Sequence, residues 1–468
     1  MFNQINSAIS GVIWGPPMLA VFLGTGLFLS AKTGFFQIFG ARRWFCSTLF
    51  TVADKENRSK AEKGSVSQLG ALTSALAACL GTGNIIGVAT ALCSGGPGAV
   101  FWMWISAVLG MMTCCCENIL GVKYRIRSKS GKLVGGPMYY IERGLGMKGL
   151  AGAYAVLLTG ASLGMGNMTQ SNSVAAGLSD MGVSPVITAF IVCVPLAFAV
   201  TGGLERISSL TQRLIPVLSL AFIAACFVII GANFSELLPS IKLIFREAFT
   251  IKAVGGFGMA KAVRYGVSRG VFSNEAGLGS SAVIHSCADC DSPAKQGMWG
   301  IVEVFIDTVF MCTVTAAAIL VSGVWSPETP LNGVALCSAV FESVMGRAGG
   351  IFLNICICLF AFSTLVAWSY YGRSGTEYLF GERGGKIYNV IYIAAAFAGC
   401  LIKLDAVWTV SDTLNGLMAV PNIFALWLMS KEAAGELNSE IKKTGNARLG
   451  LLKNLFFDGT SETSSHTI

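Results

Sequence analysis

From Gly64 to Cys116 the chain runs 53 residues without one Asp, Glu, Lys or Arg. A soluble domain is ~25% charged, because its surface must face water. A hydrocarbon core ~30 Å thick takes about 20 apolar residues per helix. The block therefore holds two membrane spans, turned at Gly95-Gly96-Pro97. The rest of the 468 residues follow suit: 53% are hydrophobic, 12% are charged, and mean hydropathy is +0.65. A disordered, collagenous or coiled-coil chain is excluded. The 15 cysteines lie mostly in apolar runs, which excludes a secreted domain stapled by disulfides.

Apolar spans are expected at 11–30, 67–92, 96–120, 149–178, 184–203, 207–231, 263–284, 298–323, 349–371, 387–403 and 406–430. The fold class expected is an all-α membrane protein of eleven transmembrane helices. The first span has no Lys or Arg before it, so it reads as a retained helix rather than a secretory signal. Of the 33 Lys and Arg, 25 fall in alternate loops (31–66, 121–148, 204–213, 285–297, 372–386) and the tail, and five in the opposite loops. The positive-inside rule then puts the N-terminus outside and the C-terminus in the cytoplasm. It also accounts for the net charge of +8 without nucleic acid as a partner. Loops 233–250 and 331–346 are amphipathic and predict outer surface helices. Thr460 to Ile468 reads as disordered.

Beyond the first helix and its basic loop (1–66), ten spans divide into five (67–231) and five (263–430). The connector is 232–262 and the cytoplasmic tail 431–468. An odd number per half makes the halves run in opposite senses. In each half the first span is interrupted by glycine: Gly81-Thr82-Gly83-Asn84-Ile85-Ile86-Gly87, and Phe272-Ser273-Asn274-Glu275-Ala276-Gly277-Leu278-Gly279. Broken helices at matching positions of an inverted repeat mark a transporter's central site. A break frees N–H and C=O groups that are costly in hydrocarbon unless paired. N–H groups at a half-helix N-terminus suit a carboxylate; freed carbonyls suit an ammonium or Na⁺. The competing reading is close helix packing through small residues.

Asn167, Gln170 and Ser171 share a helical face; for Asn167 this fits interhelical bonding and ligand contact equally, and for Gln170 ligand contact is expected. Phe360, Ser363, Thr364 and Trp368 offer hydroxyls and a wall; Ser and Thr also commonly bond the i−4 carbonyl. Arg269, Glu275, Glu303, Asp307 and Asp412 sit in spans and must be paired or face water. Arg269 is expected to pair with Glu275 or Asp307. His285-Ser286-Cys287-Ala288-Asp289-Cys290 resembles half of a zinc site in a loop past a helix end, but a second Cys pair is missing. Nothing matches a nucleotide-binding loop. With two histidines in the chain, a membrane enzyme has little acid–base chemistry to draw on, and a channel would show repeated polar rings.

At Gly81-Thr82-Gly83-Asn84, Gly135-Gly136-Pro137-Met138-Tyr139-Tyr140-Ile141, Gly166-Asn167-x-x-Gln170-x-Asn172-Ser173 and Arg269-Gly270-x-Phe272-Ser273-Asn274-Glu275-Ala276-Gly277-Leu278-Gly279-Ser280, the sequence resembles the alanine or glycine:sodium symporter family over about residues 11 to 430. The resemblance implies a LeuT-type five-plus-five fold with one extra N-terminal helix. It implies import of a small neutral amino acid across a bacterial inner membrane with Na⁺ as coupling ion (H⁺ in some members) and no other cofactor. It implies substrate contacts at Gly81, Thr82, Gly83, Asn84, Gln170, Phe272, Ser273, Gly277 and Trp368. It implies Na⁺ ligation by backbone oxygens of Ala77, Leu80 and Phe360 and hydroxyls of Ser363 and Thr364.

Overall fold

The computed structural model describes residues 2–53, 62–179, 181–251, 258–402 and 405–457, so the tail expected to be disordered (460–468) lies outside the described residues. The architecture is helical throughout. The one β-ladder pairs Ile126–Arg127 with Leu133–Val134 in a hairpin among the described residues.

Seven helices are long and apolar enough to cross a membrane, and the pair Gln68–Cys79 and Thr82–Gly95, bent by 60°, makes an eighth among the described residues. The remaining expected spans differ in form, and two of them share one of the seven helices. Span 184–203 is a 17-residue helix, Pro185–Thr201. Span 263–284 is broken into Met259–Asn274 and Ser280–His285. Spans 349–371 and 387–403 lie in one element, Arg347–Leu401, kinked at Gly381 (φ 72°). The expected surface segments form the helices Leu237–Ala248 and Gly333–Met345. The helix Asp405–Phe457 continues well past the span expected to end at 430.

Polarity is inverted relative to a water-soluble bundle. Phe190, Val194, Phe198, Val217 and Leu220 are exposed on the outer faces of Pro185–Thr201 and Gly203–Ala232, while Glu117, Asn118, Glu303 and Asp307 are fully buried. That suits a lipid surround, where apolar groups face out at no cost and polar groups must pair inside. Gly98–Lys123 packs against Met259–Asn274, Ser280–His285 and Pro293–Val304. Arg347–Leu401 packs against Lys148–Leu163, Thr169–Ser179 and Pro185–Thr201. The first broken helix lies between these groups, and the polar interior is built there.

Candidate functional site

The first half-helix stops at Cys79 because Leu80 leaves helical geometry (φ −71°, ψ 79°). Gly81 follows in an extended turn, and Thr82–Asn84 form one tight 3₁₀ turn before the helix resumes at Ile86. Glycine is required at position 81: a Cβ there would stand 2.6 Å from Thr364 Oγ1. The freed Gly81 N–H is held by Asn84 Oδ1 at 3.2 Å.

The second break turns through Glu275 (φ 57°), Gly277 (φ 96°) and Gly279 (φ 79°). Left-handed geometry costs a non-glycine residue free energy, so Glu275 must be held by its surroundings; its carboxylate accepts from Ser280 Oγ. The Gly277 N–H donates to Glu117 Oε1 at 3.0 Å, and its carbonyl accepts from Asn422 Nδ2 at 2.9 Å. Asn422 Nδ2 also reaches Glu117 Oε1 at 2.5 Å. Tyr154 donates to the Leu278 carbonyl at 2.9 Å. The bonds to the Gly277 N–H and to the Gly277 and Leu278 carbonyls replace backbone bonds that the break gave up.

The two breaks are tied together by one residue neither contains. Asp307 lies in a π-helical stretch, Phe305–Cys312, a wide turn frequent at functional sites. Asn84 Nδ2 donates to Asp307 Oδ1 at 2.8 Å and to its carbonyl at 3.0 Å, and lies 3.1 Å from Ser273 Oγ. Asp307 Oδ2 accepts from Thr308 Oγ1 at 2.6 Å, and Asn274 Nδ2 donates to that hydroxyl at 3.1 Å. Gly83 sits against Ser273 and Phe272, its Cβ position 3.6 and 3.8 Å from them.

One hydroxyl reaches the first broken helix, and its neighbour bonds within its own helix. Thr364 Oγ1 donates to the Ala77 carbonyl at 3.0 Å, and Ser363 Oγ to the Phe360 carbonyl at 2.8 Å. Ala77, Leu80, Phe360, Ser363 and Thr364 are all buried. The Thr364 hydroxyl, set against a carbonyl in the last turn of the broken half-helix, pairs hard oxygens of the type a small monovalent cation takes.

The walls are less uniform. A π-helical stretch at Gly164–Met168 precedes Gln170, whose Nε2 donates to the Met165 carbonyl at 3.2 Å while its buried Oε1 has no partner. Asn167 donates to the Tyr392 carbonyl at 2.6 Å and so ties helices together. The Trp368 ring lies on Gly166, where a Cβ would come within 2.4 Å of it, and stands edge-on to Tyr371. Gly277 faces the extra N-terminal helix instead: its Cβ position is 2.8 Å from Phe22. Phe272 lines a cavity of about 270 Å³ together with Trp14, Arg264, Tyr265, Arg269 and Asp412.

Two expectations about ionisable groups are corrected. Arg269 pairs with neither Glu275 nor Asp307; it lies over the Phe272 ring (5.6 Å) and near Asp412. Glu275 is taken by Ser280, and Asp307 by Asn84 and Thr308. His285 is not in a loop but is the last residue of Ser280–His285 and fully buried. No three His, Cys, Asp or Glu side chains are grouped to hold a metal ion among the described residues.

The ends of both broken helices meet beyond the site at the face rich in Lys and Arg. Val66 N–H donates to the Cys287 carbonyl at 3.1 Å, and Asp289 N–H to the Val66 carbonyl at 2.7 Å. The Arg125 guanidinium reaches the carbonyls of Ser286, Ala288 and Cys290 at 3.2, 2.5 and 3.1 Å.

A family model described as the sodium:alanine symporter family matches residues 1–448. The chain belongs to that family. A sodium/alanine symporter, AgcS, from Methanococcus maripaludis is 39% identical and aligns over 97% of this chain and 99% of its own. A probable sodium/glutamine symporter, GlnT, from Bacillus subtilis is 33% identical over 92% and 90%. Among solved structures, MhsT in complex with L-phenylalanine superposes with a TM-score of 0.54 at 14% identity, covering 80% of this chain and 99% of that one. A manganese transporter from Eremococcus coleocola gives 0.51 at 12% identity, covering 86% and 93%. This sodium:alanine symporter relative thus has the fold of LeuT-type transporters.

Sequence reasoning missed Glu117 and Asn422, which hold the second break. Glu117 carries a signal: it is the first charge after the uncharged block, and it falls inside a span. Asn422 carries none, since an amide in a helix is ordinary.

Proposed function

We propose that this carrier is a secondary active symporter importing a small neutral amino acid, alanine or glycine, together with Na⁺ by alternating access. The observation that carries the reading is the Thr364–Ala77 hydrogen bond, spanning 287 positions of sequence. It sets a hydroxyl of one helix against a carbonyl of a broken one. Na⁺ would bind at the Ala77, Leu80 and Phe360 carbonyls and the Ser363 and Thr364 hydroxyls, so that the ion braces the broken helix against its neighbour. The substrate carboxylate would lie at Gly81, Thr82, Gly83 and Asn84, with Ser273 and Gln170 as polar partners. Gly277 would keep the second break in shape, and Phe272 and Trp368 would limit side-chain size. The name of the 39%-identical relative, a sodium/alanine symporter, supports a small substrate.

The site would open alternately to each side of a bacterial inner membrane, with the Lys- and Arg-rich face and the C-terminus in the cytoplasm. Na⁺ binding would favour the substrate-ready state by its differential affinity for it. Each net positive charge crossing 100 mV supplies ~2.3 kcal/mol. The test is alanine uptake into proteoliposomes under a Na⁺ gradient. Saturable, voltage-sensitive uptake is expected; equal uptake with K⁺ in place of Na⁺ would end the Na⁺-symport reading.

A further inference from the structure

Glu303 belongs to none of the groups above. It is fully buried on Pro293–Val304, and its carboxylate gathers side chains from three other elements. Cys79 Sγ, at the end of the first half-helix, is 3.4 Å from Oε1. Ser281 Oγ donates to Oε2 at 2.6 Å, and His285 Nε2 lies 3.1 Å from the same oxygen. Cys114 Sγ is 3.7 Å away. One carboxylate therefore bridges both broken helices, on the side of the breaks that leads to the Lys- and Arg-rich face.

The imidazole fixes the proton count. His285 Nδ1 is 2.6 Å from the side-chain nitrogen assigned to Gln296, whose oxygen has no partner. Amide oxygen and nitrogen are told apart only by their hydrogen bonding. So short a contact suits an N–H···O bond better than N–H···N. With the amide oxygen on the ring, Nδ1–H is the donor. Nε2 and Glu303 Oε2 then face each other at 3.1 Å. Without a proton between them, two lone pairs would oppose each other in a site closed to water. On the ring the proton gives an imidazolium–carboxylate pair; on the carboxyl it gives a neutral pair. Either way one proton lies between ring and carboxylate, in addition to Nδ1–H.

The ionisable groups around this pair are Cys79, Cys114, Glu117, Glu275, Asp307 and Tyr371. Four carboxylates counting Glu303 share one buried region, and Glu303 makes no ion pair with Lys or Arg among the described residues. A proton between the ring nitrogen and the carboxylate oxygen, 3.1 Å apart, relieves their opposition with no further ligand.

We infer that Glu303 and His285 form a proton-binding site, and that opening of the Lys- and Arg-rich face is linked to release of that proton to the cytoplasm. The inference rests on the transport reading above. In the closed form the proton fastens Ser280–His285 to Pro293–Val304. The Val66–Cys287–Asp289 backbone strap and Arg125 cover the approach. Parting of the strap admits water, the proton leaves, and repulsion between the bare ring nitrogen and the carboxylate favours separation. Linkage of one proton slows opening by up to about tenfold per unit of cytoplasmic acidification.

The test is Na⁺-driven alanine uptake by the full chain in proteoliposomes, with external pH fixed and lumen pH varied. The wild type should slow with lumen acidification, by up to about tenfold per pH unit. Glu303→Gln keeps a hydrogen-bonding group without the proton, and its uptake should ignore lumen pH. Both Glu303→Gln and His285→Gln should retain Na⁺-dependent alanine binding by calorimetry, which reports an intact fold. If Glu303→Gln loses binding, the pH profile of His285→Gln decides, and it should be flattened. A wild type indifferent to lumen pH, or an unchanged pH slope in binding-competent variants, overturns the inference. Absence of Na⁺-driven uptake at every lumen pH would instead overturn the transport reading.

Discussion

Replacing Gly81 by Ala adds a single carbon where the two halves of the proposed Na⁺ site touch. That carbon would stand 2.6 Å from Thr364 Oγ1, closer than non-bonded carbon and oxygen atoms approach. The hydroxyl cannot simply move aside, because it is buried and hydrogen-bonded to Ala77. Either that bond breaks or the first break shifts away from Thr364. Overpacking of this kind costs about 1–3 kcal/mol. Borne wholly by the ion-bound form, it lowers apparent Na⁺ affinity by about 5- to 150-fold. The assay is alanine binding by calorimetry across a Na⁺ titration, on Gly81→Ala, Thr364→Ala and the double variant. Thr364→Ala removes the atom that is struck, so it should weaken Na⁺ dependence alone, while Gly81→Ala added to it costs little more. The cycle should show a coupling of at least about 1 kcal/mol. Wild-type Na⁺ dependence in Gly81→Ala, or strictly additive losses, would place the cation elsewhere.

Three further outcomes are expected. Asp307→Asn puts an amide where both carboxylate oxygens accept hydrogen bonds. Losing one such charged bond costs about 1.5–3 kcal/mol, so both Tm and alanine affinity should fall, measured by thermal shift and calorimetry. Trp368→Leu frees space beside Gly166 and should admit leucine- or methionine-sized ligands at the expense of alanine; an unchanged rank order in a competition assay removes Trp368 from the pocket. Lys123→Ala deletes ion pairs to Glu432 (2.8 Å) and Glu436 (2.6 Å) whose side chains are about one-third exposed. Such pairs contribute about 0–1 kcal/mol, so Na⁺-driven uptake should not change and Tm should move by no more than about 4 °C.

The uncharged run from Gly64 to Cys116 and the alternation of basic loops were enough to read a helical membrane protein, because the bilayer accepts few other sequences. Glycine runs inside two spans were enough to locate both breaks, since a break needs residues that tolerate unusual backbone geometry. Those signals are local, and they survive without knowledge of neighbours. What closes around the breaks is not local. Asp307 reaches Asn84 across 223 positions and Asn422 reaches Glu117 across 305. Both π-helical stretches, Gly164–Met168 and Phe305–Cys312, are wide turns that no residue pattern announces. Arg269 lies six positions from Glu275 in sequence, yet its helix turns it toward Asp412. Which carboxylate holds which break, and that His285 is buried on Glu303 rather than free in a loop, depends on the rotation of each helix against its neighbours. That rotation is set by packing over the whole bundle, so only the tertiary structure decides it.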